Sequence, residues 1–282
     1  MTIVACIDGS ELAESVCEAS AWAHERLGQP VELLHVLERS QVPATADLTG
    51  AIGVDARDHL LEELTEVEAQ RSRLAMEHGK IMLAGAREKM VALGVKDLSA
   101  CQRHEALLEA LKARETEAGL VVIGHHGEDH PQGGPVLGSH VETVVRGIVT
   151  PILVVNRTFH APGSWMVAYD GSANGDRLLA RLAEHGWVSG QQGTVVMVGD
   201  DTDANERKLM RAVDRLQEAG GFFAGELIEG EVEDALLTWQ AAHQPAIMAM
   251  GAYGHSRIRQ WLVGSHTTRM LMTSRVPVLI LR

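Results

Sequence analysis

Aromatic residues are scarce in this chain: five Trp, two Tyr and three Phe among 282 residues. Single-stranded nucleic acids are gripped by stacking bases on aromatic side chains, so this shortage argues against that class of partner. Positive charge is also in deficit. There are 25 Lys and Arg against 38 Asp and Glu, a formal net charge of −13, whereas a phosphate backbone demands a basic footprint. Cysteine is limited to Cys6, Cys17 and Cys101, an odd, scattered set with no CxxC. That pattern implies reduced thiols in a cytoplasmic protein rather than a disulfide framework. No apolar run approaches the roughly 18 residues of a membrane span. The start, MTIVACIDGS, lacks the charged and then apolar regions of a signal peptide. The familiar catalytic signatures are missing as well: no GxGxxG, no Gly-x4-Gly-Lys-Ser/Thr, no HExxH and no GxSxG.

What is present is repetition. VACIDGSELAES at 4–15 returns as MVAYDGSANGDR at 166–177, and TPILVVNR at 150–157 returns as VPVLILR at 276–282. The chain therefore reads as two copies, residues 1–156 and 164–282. NRTFHAPGS (156–164), with Pro, Gly and no period, reads as the linker. Within each copy, short β-branched runs alternate with helical patterns. Strands are expected at 31–37, 95–101, 120–124 and 151–155, and again at 194–199, 221–228, 246–250 and 277–281. Helices are expected at 11–27, around 56–93, 204–220 and 231–243. This alternation predicts an α/β fold with an open parallel sheet in each copy, its strands buried on both faces. The first copy is longer between its second and third strands, and the extra residues read as a surface insertion.

Two motifs carry chemistry. Asp8-Gly9-Ser10 and Asp170-Gly171-Ser172 fall at the carboxyl end of each first strand. A glycine loop follows each fourth strand: Gly251-x-x-Gly254, nine residues, then Gly264-Ser265. In the first copy Gly124-x-x-Gly127 is followed by ten residues and Gly138-Ser139. Ligands of open parallel sheets bind beyond the carboxyl ends of the strands where strand order reverses. Glycines allow close backbone approach and positive φ. Their N–H groups can form an anion nest, and the following helix N-terminus favours negative charge. Ser139 and Ser265 are expected as N-caps. Ser139 with Glu142 also fits a capping box that needs no ligand. The carboxylates of Asp8 and Asp170 suit ribose hydroxyls or an adenine amino group rather than phosphates.

These motifs resemble those of the universal stress protein family, with two such domains in tandem and nearly the whole chain covered. The resemblance implies an adenine nucleotide alpha hydrolase-like fold: two consecutive five-stranded parallel sheets, order 3-2-1-4-5, with helices on both faces. It implies ATP as ligand, with magnesium as an optional companion. Carried onto this sequence, it points to Asp170, Val198, Gly251, Gly254, Gly264 and Ser265 in the second copy. In the first it points to Asp8, Val36, Gly124, Gly127, Gly138 and Ser139. Val36 and Val198 would offer backbone groups to adenine. The last strands of the two copies are expected to pair within the chain, and a homodimer of whole chains is a further option. No catalytic residue is expected.

The copies are unequal. The first loop has one extra residue and carries Glu128 and Asp129, whereas the second carries His255, Arg257, Arg259 and His266. The second copy is therefore the expected better site. His125, His126 and His130, with Asp129, could be imagined around zinc, but their spacing matches no established site, and no metal is expected. The leading reading is an ATP-binding cytoplasmic stress-response regulator, with no nucleic-acid or membrane partner. A scaffold with largely vestigial sites and a slow ATPase are the alternatives.

Overall fold

A computed structural model describes residues 1–37, 54–127, 138–156, 158–184, 186–251 and 265–282, with backbone only at 54–62, 139, 265 and 266. The first half runs β1 (Thr2–Cys6), α1 (Ala13–Leu27), β2 (Val31–Val36), α2 (Val54–Ala92), β3 (Leu98–Arg103), α3 (Leu107–Lys112), β4 (Ala118–Gly124), α4 (Ser139–Gly147) and β5 (Ile152–Val155). The second runs β6 (Trp165–Ala168), α5 (Ala173–Glu184), β7 (Gln192–Val198), α6 (Asp203–Glu218), β8 (Phe222–Ile228), α7 (Val232–His243), β9 (Ile247–Gly251), α8 (Ser265–Thr273) and β10 (Val278–Leu281).

The strands form one ten-stranded sheet in the order β3-β2-β1-β4-β5-β10-β9-β6-β7-β8. Each half keeps the order 3-2-1-4-5 with all its neighbours parallel. The two expected sheets are thus continuous, joined where β10 runs antiparallel to β5 with Val278 opposite Val154 and Ile280 opposite Ile152.

The apolar runs form strands because successive side chains enter opposite layers of core. Ile3, Ala5 and Leu33 face one cluster, while Val4, Cys6 and Leu34 face the other. Helices lie down on apolar stripes of 3.6 period. On α6 the stripe is Leu209, Ala212, Val213 and Leu216, and its start is fixed by Thr202, whose side chain accepts from Asn205 N at 3.3 Å. On α2 it is Gly79, Leu83, Ala86 and Met90, all buried. β3 begins three residues later than the sequence suggests. Leu93, Gly94 and Val95 are taken up in ending α2, with Gly94 at φ +88° and Val95 N donating to Met90 O at 3.1 Å.

The stretch read as a linker is docked. Phe159 is buried, and Trp22 of α1 packs against it at 5.7 Å between ring centroids, against Trp187 at 5.6 Å and against Trp165 at 6.2 Å. Four of the ten aromatic residues therefore gather where the halves meet. Among the described residues no helix is long and apolar enough to cross a membrane.

Candidate functional site

Strand order reverses between β1 and β4 in the first half and between β6 and β9 in the second. The Asp-Gly-Ser turns leave β1 and β6, and Gly124 and Gly251 end β4 and β9, so in each half the starts of both motifs stand at one switch point.

Both Asp-Gly-Ser segments fold alike. Ser10 N and Oγ donate to Asp8 Oδ1 at 3.1 and 2.5 Å. Ser172 N and Oγ donate to Asp170 Oδ1 at 3.0 and 2.7 Å. The serine oxygen then accepts from the opening of the helix, at Leu12 N in the first half and at Asn174 N and Gly175 N in the second. One carboxylate oxygen holds the turn in each case.

In the first half the described glycines converge. A Cβ on Gly127 would stand 3.2 Å from Asp8 Oδ2. One on Gly138 would stand 3.2 Å from His126 Cα and 3.4 Å from Gly127 N. Gly138 N donates to His125 O at 3.2 Å, which closes the base of the loop. Gly124 ends β4, and a Cβ there would meet Leu12 Cδ1 at 2.9 Å. Val36 ends β2 opposite Arg103. The helix cap differs from expectation. Gly138, not Ser139, is the N-cap of α4, because its carbonyl takes the first helical bond from Glu142 N. Glu142 then lies beyond the third helical position, so the capping box does not form. Its carboxylate instead pairs with Arg146 at 2.5 Å, one turn on.

In the second half Val198 ends β7 opposite Ile228, and Gly251 ends β9 opposite Leu281. Among the described residues nothing lies within 4 Å of a Cβ placed on Gly251. Ser265 opens α8, whose backbone alone is described there. Gly254, Gly264, His255, Arg257 and Arg259 lie outside the described residues, as do Glu128, Asp129 and His130, and the side chain of His266 is not described.

Three residues outside the two motifs also stand at these crevices. Lys208 reaches from α6 to the second turn: a Cβ on Gly171 would meet its Cδ at 2.9 Å and stand 3.5 Å from its Nζ. Its signal was a lysine one turn before Ala212 on an otherwise apolar stripe. Tyr169 stands where the first half has Ile7, and its hydroxyl donates to Asp176 Oδ1 at 2.7 Å. Burial, and then that bond to a carboxylate, push the phenol pKa well above its ordinary value. Leu12 closes on Gly124, whereas the matching residue of the second turn is the polar Asn174, hydrogen-bonded to Arg177.

The first crevice also carries Glu11, whose carboxylate is 3.8 Å from His126 Nε2. The neighbouring His125 uses its Nε2 elsewhere, donating to Leu271 O of α8 at 2.7 Å. Among the described residues no group of three or more His, Cys, Asp or Glu is arranged to hold a metal ion.

A doubled α/β sheet with like Asp-Gly-Ser turns at its two switch points defines a tandem open-sheet fold of two like halves. The chain belongs to the universal stress protein family: the family model matches twice, over residues 1–156 and 165–282. A universal stress protein of Synechocystis sp. is 28% identical over 284 residues, spanning 99% of each chain. The crystal structure of a universal stress protein from Archaeoglobus fulgidus superposes with a TM-score of 0.66 at 19% identity, covering 100% of this chain and 98% of the other. A functionally unknown protein of Pseudomonas aeruginosa gives 0.61 at 17% identity, covering 99% and 92%.

Proposed function

We propose that this stress protein is an ATP-binding regulator, and that its second half holds the better nucleotide site. The observation that carries the reading is the arrangement of Asp8 and Asp170. Each spends Oδ1 on its own serine, and among the described residues Oδ2 is left for a ligand at the switch point where a glycine loop also begins. Asp170 would take the ribose or adenine amino group, and the backbone of Val198 the adenine ring. Gly251, Gly254, Gly264 and Ser265 would wrap the phosphates through their N–H groups and the start of α8. Asp8, Val36, Gly124, Gly127, Gly138 and Ser139 hold the matching places in the first half.

The ranking of the halves rests on side chains. Leu12 crowds Gly124, and the first crevice carries the Glu11 carboxylate besides the aspartate common to both halves. The second has Asn174 in the place of Leu12, and the Lys208 ammonium beside its turn. A cation near a phosphate site favours the anion, and a carboxylate disfavours it. Bound ATP would supply charge and shape, shifting the glycine loops so that a partner surface follows occupancy. We propose further that the halves stay joined in solution through β5 and β10.

Calorimetric titration with ATP tests this. Wild type should bind, and Asp170→Asn, which keeps an oxygen acceptor for Ser172, should weaken binding by about tenfold or more, the value of a charged hydrogen bond. Asp8→Asn should leave the tighter event intact. Equal losses from the two variants would refute the ranking, and no binding by wild type would refute the function.

A further inference from the structure

α2 has 39 residues against 16 in α6, the helix that follows the matching strand in the second half. Among the described residues only its C-terminal part touches the body, through the stripe Gly79, Leu83, Ala86 and Met90. Residues 63–74 are exposed on every face. At 1.5 Å per residue, that is roughly 18 Å of helix with no support from the sheet. A helix standing in water on all sides is marginal unless something packs on it, and this one is not polar throughout. Leu64, Val67, Leu74 and Ile81 recur at steps of three and seven, the spacing of a coiled-coil seam, and are 46%, 61%, 72% and 69% exposed. Single exposed apolar residues are ordinary, but a line of four along one helix marks an interaction surface.

The charges beside this seam indicate what covers it. The segment reads Glu66-Val67-Glu68-Ala69-Gln70-Arg71-Ser72-Arg73. The signs are mirrored about the Ala69–Gln70 bond, with Glu68 matched to Arg71 and Glu66 to Arg73. Among the described residues none of these four has an ion-pair partner within the chain. A second copy laid antiparallel with its two-fold axis at that bond puts Glu68 of each chain opposite Arg71 of the other. It also brings Leu64 of one chain near Leu74 of the other. A parallel copy would set glutamate beside glutamate and arginine beside arginine. Interfaces of this isologous kind close after two copies.

We propose that the exposed seam of α2 is a self-association surface, on which a second copy of this chain docks antiparallel. The proposal does not rest on nucleotide binding, since no residue of the seam is among those named at the crevices.

Sedimentation velocity of the full chain at micromolar concentrations tests it. Wild type should sediment as a dimer, and Leu74→Glu should weaken the dimer by more than about tenfold, a change worth about 1.4 kcal/mol. Glu68→Arg and Arg71→Glu should each weaken it, and the double variant Glu68→Arg/Arg71→Glu should restore it. All these positions are exposed, so thermal melting of the variants should match wild type, which separates lost association from lost folding. A monomeric wild type, which would leave the seam to another partner or to the chain's own 38–53 stretch, overturns the proposal. So does a dimer that survives Leu74→Glu, or a double variant that fails to recover.

Discussion

His125, on the glycine loop of the first half, donates from Nε2 to the carbonyl of Leu271 in the second half at 2.7 Å. Leu271 lies in the last turn of α8, where carbonyls have no partner within the helix. The imidazole therefore caps the helix whose other end begins at Ser265, in the second crevice. The residue matching His125 in the second half is Ala252, so no equivalent side-chain bond can run the other way. The first glycine loop is thus tied to α8 of the second half, a bond the methyl side chain of Ala252 cannot return.

The burial of this imidazole makes stability depend on pH. Burial lowers the His125 pKa from its ordinary value, with the bond to Leu271 raising it and His126 lowering it as smaller effects. The folded chain therefore favours neutral imidazole, while the unfolded chain takes up a proton as pH falls past about 6.5. This contribution is complete above that pH and is lost as pH falls below it. Replacing the histidine removes it: wild type should melt higher than His125→Gln at pH 7.5, and the gap should narrow at pH 5.5. A gap that is constant or widens would contradict the assignment.

Gly171 sits at φ +67°, and a Cβ there would stand 2.9 Å from Lys208 Cδ and 3.2 Å from Met197 Cε. Gly171→Ala should cost about 1 kcal/mol or more in urea unfolding, from the left-handed backbone and from displacing the lysine. Gly251→Ala, where no described atom is near, should be close to neutral.

Arg114 grips Glu32 with two bonds, Nε to Oε2 at 2.8 Å and a second guanidinium nitrogen to Oε1 at 3.1 Å, and both side chains are largely buried. The pairing raises the arginine pKa despite its partial burial. Breaking such a pair leaves a charge without its partner, so Arg114→Met should cost about 2–3 kcal/mol. The exposed Lys80–Glu77 pair, at 2.9 Å, should tolerate Lys80→Met within about 0.5 kcal/mol. Chemical unfolding of both variants reads the contrast.

The thiols should separate sharply. Burial pushes Cys6 up to about 12, helped by the Asp8 charge, and pushes Cys17 up to about 11. Cys101 is only half-buried and accepts from an Arg114 nitrogen at 3.4 Å. A disulfide reagent at pH 8 should titrate one thiol rapidly in the native chain and three after unfolding. Rapid reaction of two or more in the native chain would contradict this burial.

Much of the fold was legible because hydrophobic period and motif repetition report backbone and burial directly. The long helix expected around 56–93 spans Val54–Ala92, and the first strand of each half ends at its Asp-Gly-Ser. Side-chain geometry was less accessible. A one-residue shift in the start of α4 moves the cap from Ser139 to Gly138 and sends Glu142 to Arg146. Nor does local sequence state that Leu12 closes on Gly124, that Phe159 joins the tryptophans, or that Lys208 bends over Gly171. Each of these contacts joins residues brought together by strand order rather than by proximity in the chain.

Native mass spectrometry of the intact chain titrated with magnesium and ATP tests the nucleotide account most directly, because it counts bound molecules. One ATP should bind first, and that first event should vanish in Gly254→Val while persisting in Gly127→Val. A wild-type chain that takes up no nucleotide, or a first event abolished by Gly127→Val and untouched by Gly254→Val, would contradict the account.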